Sequence, residues 1–343
     1  MGKENMLRYI LRRLVFLIFL MLGVTVVVFL LSHAVPSDPV VANLSQRNLG
    51  NEEMVEAFRA KWGLDQPLYR QYFTYMSNLV QGDLGLSIRT QRPVAADLAR
   101  YFPATFELAT FGIVFASLFG VLFGVISAIR RNSVADHLLR GVSVFGVSVP
   151  SFWLALIMLF IFYLGFGVAP GPGRISPRVA PPETWSGLYT VDALRAGDWG
   201  LLADALSHLA LPSICLGMFT MGLITRTTRS SLLEILSLDF IRTARAKGLA
   251  EKNVIRKHAL GNALIPVVTV IGVGFGNLLS GMVFVETIFA WPGIGQYAYQ
   301  SAKNLDFPAI VGVSLLIAVN YVLINLAVDI LYGLLDPRVR YDR

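Results

Sequence analysis

The sequence predicts an all-α, polytopic membrane protein with six transmembrane helices and both termini on the cytoplasmic side. Three observations carry this. Charged residues make up only 15% of the 343 and apolar ones 55%, against about 25% charged in an ordinary soluble domain. Long uncharged runs recur from one end of the chain to the other, and basic residues gather in alternate connecting segments. A soluble chain of this length would divide into about two domains with polar linkers between them.

The first run, Leu14 to Leu31, carries no charge and has about the length needed to cross a hydrocarbon core of roughly 30 Å. It follows Lys3, Arg8, Arg12 and Arg13. A cleaved signal peptide starts the same way, but its apolar region is about 7–15 residues long. The run is therefore expected to be a retained signal anchor. The further spans are expected at Thr105–Ile129, Gly141–Val168, Leu206–Ile224, Ala263–Val285 and Ala309–Leu335, with Pro150 and Pro212 near the starts of the third and fourth. Proline is tolerated there, or makes a kink that neighbouring helices satisfy.

With the N-terminus inside, the cytoplasmic segments hold 18 Lys/Arg against 8 Asp/Glu and the outer segments 11 against 14. The whole excess of base thus lies on one side of the bilayer, as the positive-inside rule requires. The net charge of +7 needs no nucleic acid to explain it, because nucleic-acid binding calls for a basic face on a folded module. The lipid bilayer is the expected surrounding.

The first outer segment, residues 33–104, is expected to carry short amphipathic helices on the membrane surface. Asn51-Glu52-Glu53 reads as a capped start of a helix running to Gly63, and Asp65-Gln66-Pro67 as the start of another ending near Gly82. The outer loop at about 169–204 has Pro170, Pro172, Pro177, Pro181 and Pro182 and is expected to lack long regular structure. Cys215 is the sole cysteine, so it forms no intrachain disulfide and reads as a small buried residue. His33, His137, His208 and His258 have no metal-binding spacing, and no metal is assigned.

Small residues recur every fourth position on the second span, at Gly112, Ala116, Gly120, Gly124 and Ala128, and on the fifth at Gly272, Gly276 and Ser280. Such a stripe lets another helix approach closely. Tight packing outweighs substrate contact as the reading of these residues, although the same faces leave room for a cavity. Substrate-contacting residues are not identified. Ionisable groups within the spans are Glu107 and Glu286 near outer ends and Asp329 about two turns before the cytoplasmic end. Intramembrane charge is costly and paired or functional; a basic partner or an interfacial position outweighs a proton relay for Asp329.

The cytoplasmic segment 226–262 is too long for a simple hairpin connection. Asp239 can cap a short helix through Lys247, which Gly248 can stop in the left-handed conformation, and a second short helix can follow. Ile241, Leu249, Val254 and Ile255 are available to pack such a knob, with base around them. Physical reasoning allows it to dock a cytoplasmic partner or to lie on anionic lipid.

This segment resembles the EAA-type coupling loop of ABC importer permeases, in which two short helices seat in a groove of the ATP-binding subunit. Gly248 matches the motif's glycine, Arg242-Thr243-Ala244 occupy the Glu-Ala-Ala positions, and His258, Leu260 and Gly261 those of Ile, Leu and Pro. The run Arg242-Thr243-Ala244-Arg245-Ala246-Lys247-Gly248, then Leu249 and Ala250, then Val254, Ile255 and His258-Ala259-Leu260, is similar to the dipeptide/oligopeptide/nickel-type permeases. The resemblance covers nearly the whole chain. Leu64-Asp65-Gln66-Pro67-Leu68, Gly82-Asp83-Leu84-Gly85, Pro93-Val94, Pro150-Ser151-Phe152-Trp153, Glu286 through Gly295 and Leu335-Asp336-Pro337-Arg338 are similar to that family's blocks, in order.

The resemblance implies a single permease domain over residues 1–343 in a bacterial inner membrane, working by alternating access. It implies a heterodimer with a second homologous permease subunit, two cytoplasmic ATP-binding subunits carrying ATP and magnesium, and an extracytoplasmic solute-binding protein. The ATPase-coupling residues would be those quoted from Arg242 to His258. This chain is expected to bind no cofactor and to be no enzyme, since it has no GxxxxGK[ST] loop. Dipeptides and oligopeptides lead as cargo, with nickel complexes, glutathione and opines as alternatives. Rival classes are a secondary transporter, which needs more intramembrane charge and inverted repeats, and an intramembrane hydrolase, which needs a nucleophile and base at membrane depth.

Overall fold

The structure, a computed structural model, describes residues 3–34, 50–62, 66–280 and 283–335. Most of the 33–50 stretch, Gly63, Leu64, Asp65, Gly281, Asp336-Pro337-Arg338 and the side chain of Asp329 lie outside the described residues. Among the described residues the chain is helical apart from turns and loops.

Helix α1 (Lys3–Ala34) is one long apolar helix. After it come α2 (Glu52–Trp62), whose first turn is capped as expected by Asn51 Oδ1 on the Met54 N–H at 3.3 Å, and α3 (Leu68–Val80). No side chain caps α3; Pro67 takes that position, and its fixed φ of −55° leads into the first turn. Tyr72 of α3 meets the Thr25 hydroxyl of α1 at 2.9 Å and sits edge-on to Phe29 at 5.3 Å, so α3 lies against α1.

The centre of the molecule is a pair of long helices, α4 (Val94–Ile129) and α8 (Trp199–Leu236). They run parallel, because Gly112 faces Ser213 and Leu216, Gly120 faces Ile224, and Gly124 faces Thr228. A Cβ on Gly120 would come 2.7 Å from the Ile224 Cβ, and one on Gly124 would come 2.5 Å from the Thr228 Cβ. Ala116, between them, is fully buried. The stripe of small residues is the contact line of these two helices. Helix α8 extends well beyond the expected span Leu206–Ile224 at both ends. Pro212 therefore lies inside it rather than near its start.

The expected third span, Gly141–Val168, is broken. Helix α5 (Val134–Ser148) runs antiparallel to α8, with Gly146 against the Met218 carbonyl and Ser143 Oγ donating to the Gly222 carbonyl at 2.7 Å. The next helix, α6 (Ser151–Gly165), leaves at 110°. Pro150 explains the break: the residue before a proline is pushed out of the helical region, and Val149 is extended, with ψ 127°. Between α6 and α8 the only described helix is α7 (Tyr189–Ala196), which Gly197 stops at φ +67°.

After α8 come two short helical pieces, α9 (Asp239–Ala246) and α10 (Glu251–Ala263). Helix α11 (Ile265–Leu279) leaves α10 at 50°, with Pro266 in its first turn. The expected fifth span is thus a bent continuation of the knob. Gly274 of α11 faces Thr220 of α8, while Gly272 meets Val328 and Gly276 faces Ile324, 3.4 Å from where its Cβ would stand, on the last helix, α14 (Phe307–Leu335). Between them lie α12 (Val283–Ile288) and α13 (Ile294–Lys303).

Three helices, at Val94–Ile129, Trp199–Leu236 and Phe307–Val328, are long and apolar enough to cross a bilayer; each of the two bent pairs adds one if it is a single span. The uncharged stretch described within α1, Val15–Val27, is shorter. Cys215 is buried in α8, 3.4 Å from the Ser151 carbonyl.

Candidate functional site

Two assemblies of polar residues sit at opposite ends of the α4–α8 pair. The first is the knob formed by α9, the turn Lys247–Ala250 and α10. Helix α9 is amphipathic, with Ile241 and Ala244 facing inward and Arg242, Thr243, Arg245 and Ala246 outward. Its end is tied by Lys247 N–H to the Thr243 carbonyl and Gly248 N–H to the Arg245 carbonyl. Gly248 then takes φ +76°, a left-handed conformation that β-branched residues avoid.

Helix α10 turns back beneath α9, with its middle, Val254–Ala259, wound as a π-helix. Ile241, Ala244, Val254, Ala259 and Ala263 form a closed apolar floor with Leu232 of α8 and Ala128 of α4. The knob is therefore seated on the ends of the two central helices.

Its outer surface is open. Leu238, Phe240 and Leu249 are each about two-fifths exposed, among Arg242, Lys247, Lys252, Arg256 and Lys257, also exposed. Two expectations change here. Asp239 does not cap α9, because Leu238 holds that position without a side-chain cap and Asp239 pairs with Arg242 at 3.2 Å inside the first turn. Leu249 does not pack inside the knob, because the left-handed step at Gly248 turns it out. Ile255 and His258 are partly buried, and Ala250 is exposed just before α10. Arg245 grips Glu251 across the glycine turn, Nη2–Oε1 2.6 Å and Nε–Oε2 3.1 Å. The guanidinium holds the Glu251 carboxyl below its usual range.

The opposite end is closed. Glu286 is 1% exposed and accepts the Thr105 hydroxyl at 2.7 Å and the Gln296 N–H at 2.9 Å. Trp291, fully buried, donates its ring N–H to the Ala104 carbonyl at 2.8 Å. A Cβ on Gly293 would collide with the Glu286 carboxylate and the Thr105 hydroxyl. The Trp291-Pro292-Gly293 turn is thus a cover over a buried carboxylate as well as a bend.

Beside it Glu107 pairs with Arg174 of the loop between α6 and α7 at 2.5 Å and accepts the Thr190 N–H and hydroxyl at 2.8 and 2.7 Å. The Arg174 guanidinium lies 3.6 Å from the centre of the Tyr189 ring. Asp192 ties the same loop down through Ser186 and Gly187; burial alone would raise its pKa, but those hydrogen bonds outweigh it and bring it below the ordinary value. Nearby, Asp306 accepts from Ser87 Oγ at 2.5 Å, and Asp97 from Thr90 Oγ1 at 2.5 Å and Tyr297 OH at 3.2 Å.

Sequence reasoning singled out Glu107 and Glu286 but not their partners Arg174, Thr190 and Thr105. It also did not single out the buried carboxylates Asp97, Asp192 and Asp306, nor Asp136, which is bound to Arg229 at the knob end. The available signal was an acidic residue at the border of an apolar run, which must find a donor. No group of three or more His, Cys, Asp or Glu that could hold a metal ion occurs among the described residues.

A family profile described as the binding-protein-dependent transport system inner membrane component matches residues 120–341, and one for the N-terminal part of such membrane components matches residues 6–109. The chain is 45% identical to the probable D,D-dipeptide transport system permease protein DdpB of Escherichia coli K12, over 94% of each. It is 44% identical to the di/tripeptide transport system permease protein DppB of Pseudomonas aeruginosa and 43% identical to the dipeptide permease DppB of Alkalihalophilus pseudofirmus, over 98% of this chain and 100% of each relative. Among solved structures, a chain of the inward-facing MetNI methionine ABC transporter shares the fold with a TM-score of 0.52 at 19% identity. The match covers 70% of this chain and 96% of that one.

Proposed function

Because this chain belongs to the family of binding-protein-dependent transport system inner membrane components and is a permease subunit of an ABC importer, we propose that it carries dipeptides or similarly short peptides by alternating access, driven through the knob around Gly248. The cargo reading draws on the relatives named for dipeptides, di/tripeptides and D,D-dipeptides. Membership in this family brings ATP-binding subunits and a binding protein as partners. The finer assembly belongs to the proposal: a heterodimer with a second homologous permease, and two ATPases that hold ATP and magnesium. The same holds for the bacterial inner membrane and for six spans with both termini inside.

One observation carries the mechanism. The knob is fastened on its inner side to α4 and α8, through Ile241, Val254, Leu232 and Ala128, and leaves its basic and apolar outer side free. A body pushing on that surface moves both central helices, because the floor holds them to it. The unequal division of Lys and Arg supports a cytoplasmic position for the knob, the side on which the ATPases would stand. Residues 33–104 and the closed end then face outward.

The test is uptake by proteoliposomes holding the assembled transporter, with its binding protein outside and ATP inside. Labelled dipeptide is expected to accumulate with ATP and not with a non-hydrolysable analogue. Uptake driven by a proton gradient without ATP would overturn the mechanism. ATP-driven uptake of glutathione or a nickel complex, but of no dipeptide, would overturn the cargo.

A further inference from the structure

The Asp136 carboxylate is completely buried at the knob end of the molecule. Three segments converge on it. Ser127 Oγ of α4 donates at 2.5 Å, the Asn132 N–H of the α4–α5 turn at 2.9 Å, and Arg229 of α8 closes a two-pronged contact, Nε to Oδ1 and Nη2 to Oδ2, each at 2.9 Å. Arg140 Nε lies at 3.6 Å on the half-exposed side. A carboxylate held by a guanidinium fork has its direction fixed as well as its distance.

What surrounds the pair gives it leverage. Arg229 precedes by less than one turn Leu232, the α8 residue in the floor of the knob. Asp136 opens α5, the near half of the broken span. From there α5 follows α8 at backbone contact: a Cβ on Gly222 would lie 2.6 Å from the Ser143 carbonyl oxygen, and one on Gly146 would lie 2.7 Å from that of Met218. At Val149 the chain bends and α6 departs at 110°, its first residue still against α8 where the Ser151 carbonyl meets Cys215. Helix α5 is thus held to α8 at its knob end by charge and along its length by shape, while its other end meets a bend.

We propose that Asp136 and Arg229 form a latch that makes α5 travel with α8 when the knob is displaced, so that the knob's movement reaches the Val149–Pro150 break. They are positioning residues, acting through α5 and touching neither nucleotide nor cargo. The inference rests on the reading of the knob as the point where the ATPases push. The alternative to a latch is a static staple that serves only assembly.

The experiment uses the assembled transporter in proteoliposomes and compares Arg229→Gln, Arg229→Lys and Ser127→Ala with wild type. The first readout is peptide imported per ATP hydrolysed. Arg229→Gln is expected to keep ATP hydrolysis and lose at least tenfold in that ratio, Arg229→Lys to fall between it and wild type, and Ser127→Ala to stay within twofold. The second readout is the distance between spin labels at Val144 of α5 and Phe219 of α8, both exposed. That distance is expected to hold through the ATP cycle in wild type and to spread in Arg229→Gln.

A wild-type ratio and an unchanged label distance in Arg229→Gln overturn the latch. If Arg229→Gln fails to assemble, Arg229→Lys decides the question, and a wild-type ratio there overturns it equally. Equal loss of hydrolysis and uptake in both variants also overturns it, because the pair then serves ATPase docking. Absence of ATP-driven uptake in wild type defeats the underlying reading instead, which keeps the two failures apart.

Discussion

The closed end of the α4–α8 pair and the outer surface of the knob treat charge in opposite ways. At the closed end Glu107 and Glu286 are buried, each held by donors from other elements, Arg174 and Thr190 for one and Thr105 and Gln296 for the other. At the knob, Arg242 pairs with Asp239 and Arg245 with Glu251, neighbours in the chain and exposed to water. A buried carboxylate that loses one donor strands its charge, whereas an exposed pair that opens is taken over by water. The closed end therefore has one arrangement. The knob can exchange its partners, and its backbone turns on a single glycine.

This contrast is most exposed to challenge at Arg174. Arg174→Ala leaves Glu107 buried without its cation, and breaking a buried pair in this way costs about 3–5 kcal/mol. The expected outcome is a marked fall in the melting temperature of the purified complex, with Trp291 fluorescence reporting the loosened cover. A variant as stable as wild type would show that the closed end is not fixed by its charges.

Gly248→Val comes next. A β-branched residue at φ +76° bears strain of about 1–3 kcal/mol, confined to the turn between α9 and α10. The chain is expected to insert and express normally, because the α4–α8 contact line lies elsewhere, while uptake per ATP collapses or the ATPase no longer docks. Wild-type import per ATP would remove the knob from the mechanism. The smallest effect is expected from Arg256→Glu, an exposed charge worth about 1 kcal/mol or less. Its uptake should stay within about fivefold of wild type; a collapse like that of Gly248→Val would make the knob's charge, and not its backbone, the essential feature.

What could be read in advance depended on how far apart the deciding residues stand. The glycine after an amphipathic octet, Asn51 ahead of Glu52, and the small-residue stripe on α4 are local patterns, and the structure places a left-handed turn, a helix cap and a helix contact there. Pro150 was equally visible, but whether a proline kinks a span or breaks it by 110° depends on the packing of α5 on α8. Arg174 stands 67 residues from Glu107, and Arg229 stands 93 from Asp136. Each of the four resembles an ordinary charge at a membrane border until the helices are assembled. The glycines at 293 and 295 read as a turn, while their stricter requirement, room for the Glu286 carboxylate and at Gly293 also for the distant Thr105 hydroxyl, shows only once the chain is folded.

The chain's one cysteine, Cys215, is 2% exposed, its sulfur lying against the Ser151 carbonyl. A thiol in that position is shielded from maleimide and methanethiosulfonate reagents, so the native chain serves directly as a background for single-cysteine chemistry. A cysteine placed at Leu249 or Lys247 on the knob, or at Trp185 on the opposite loop, is open to modification while Cys215 stays silent. Fluorophores and spin probes then report each end of the molecule in turn, with the packing of α8 left as it is.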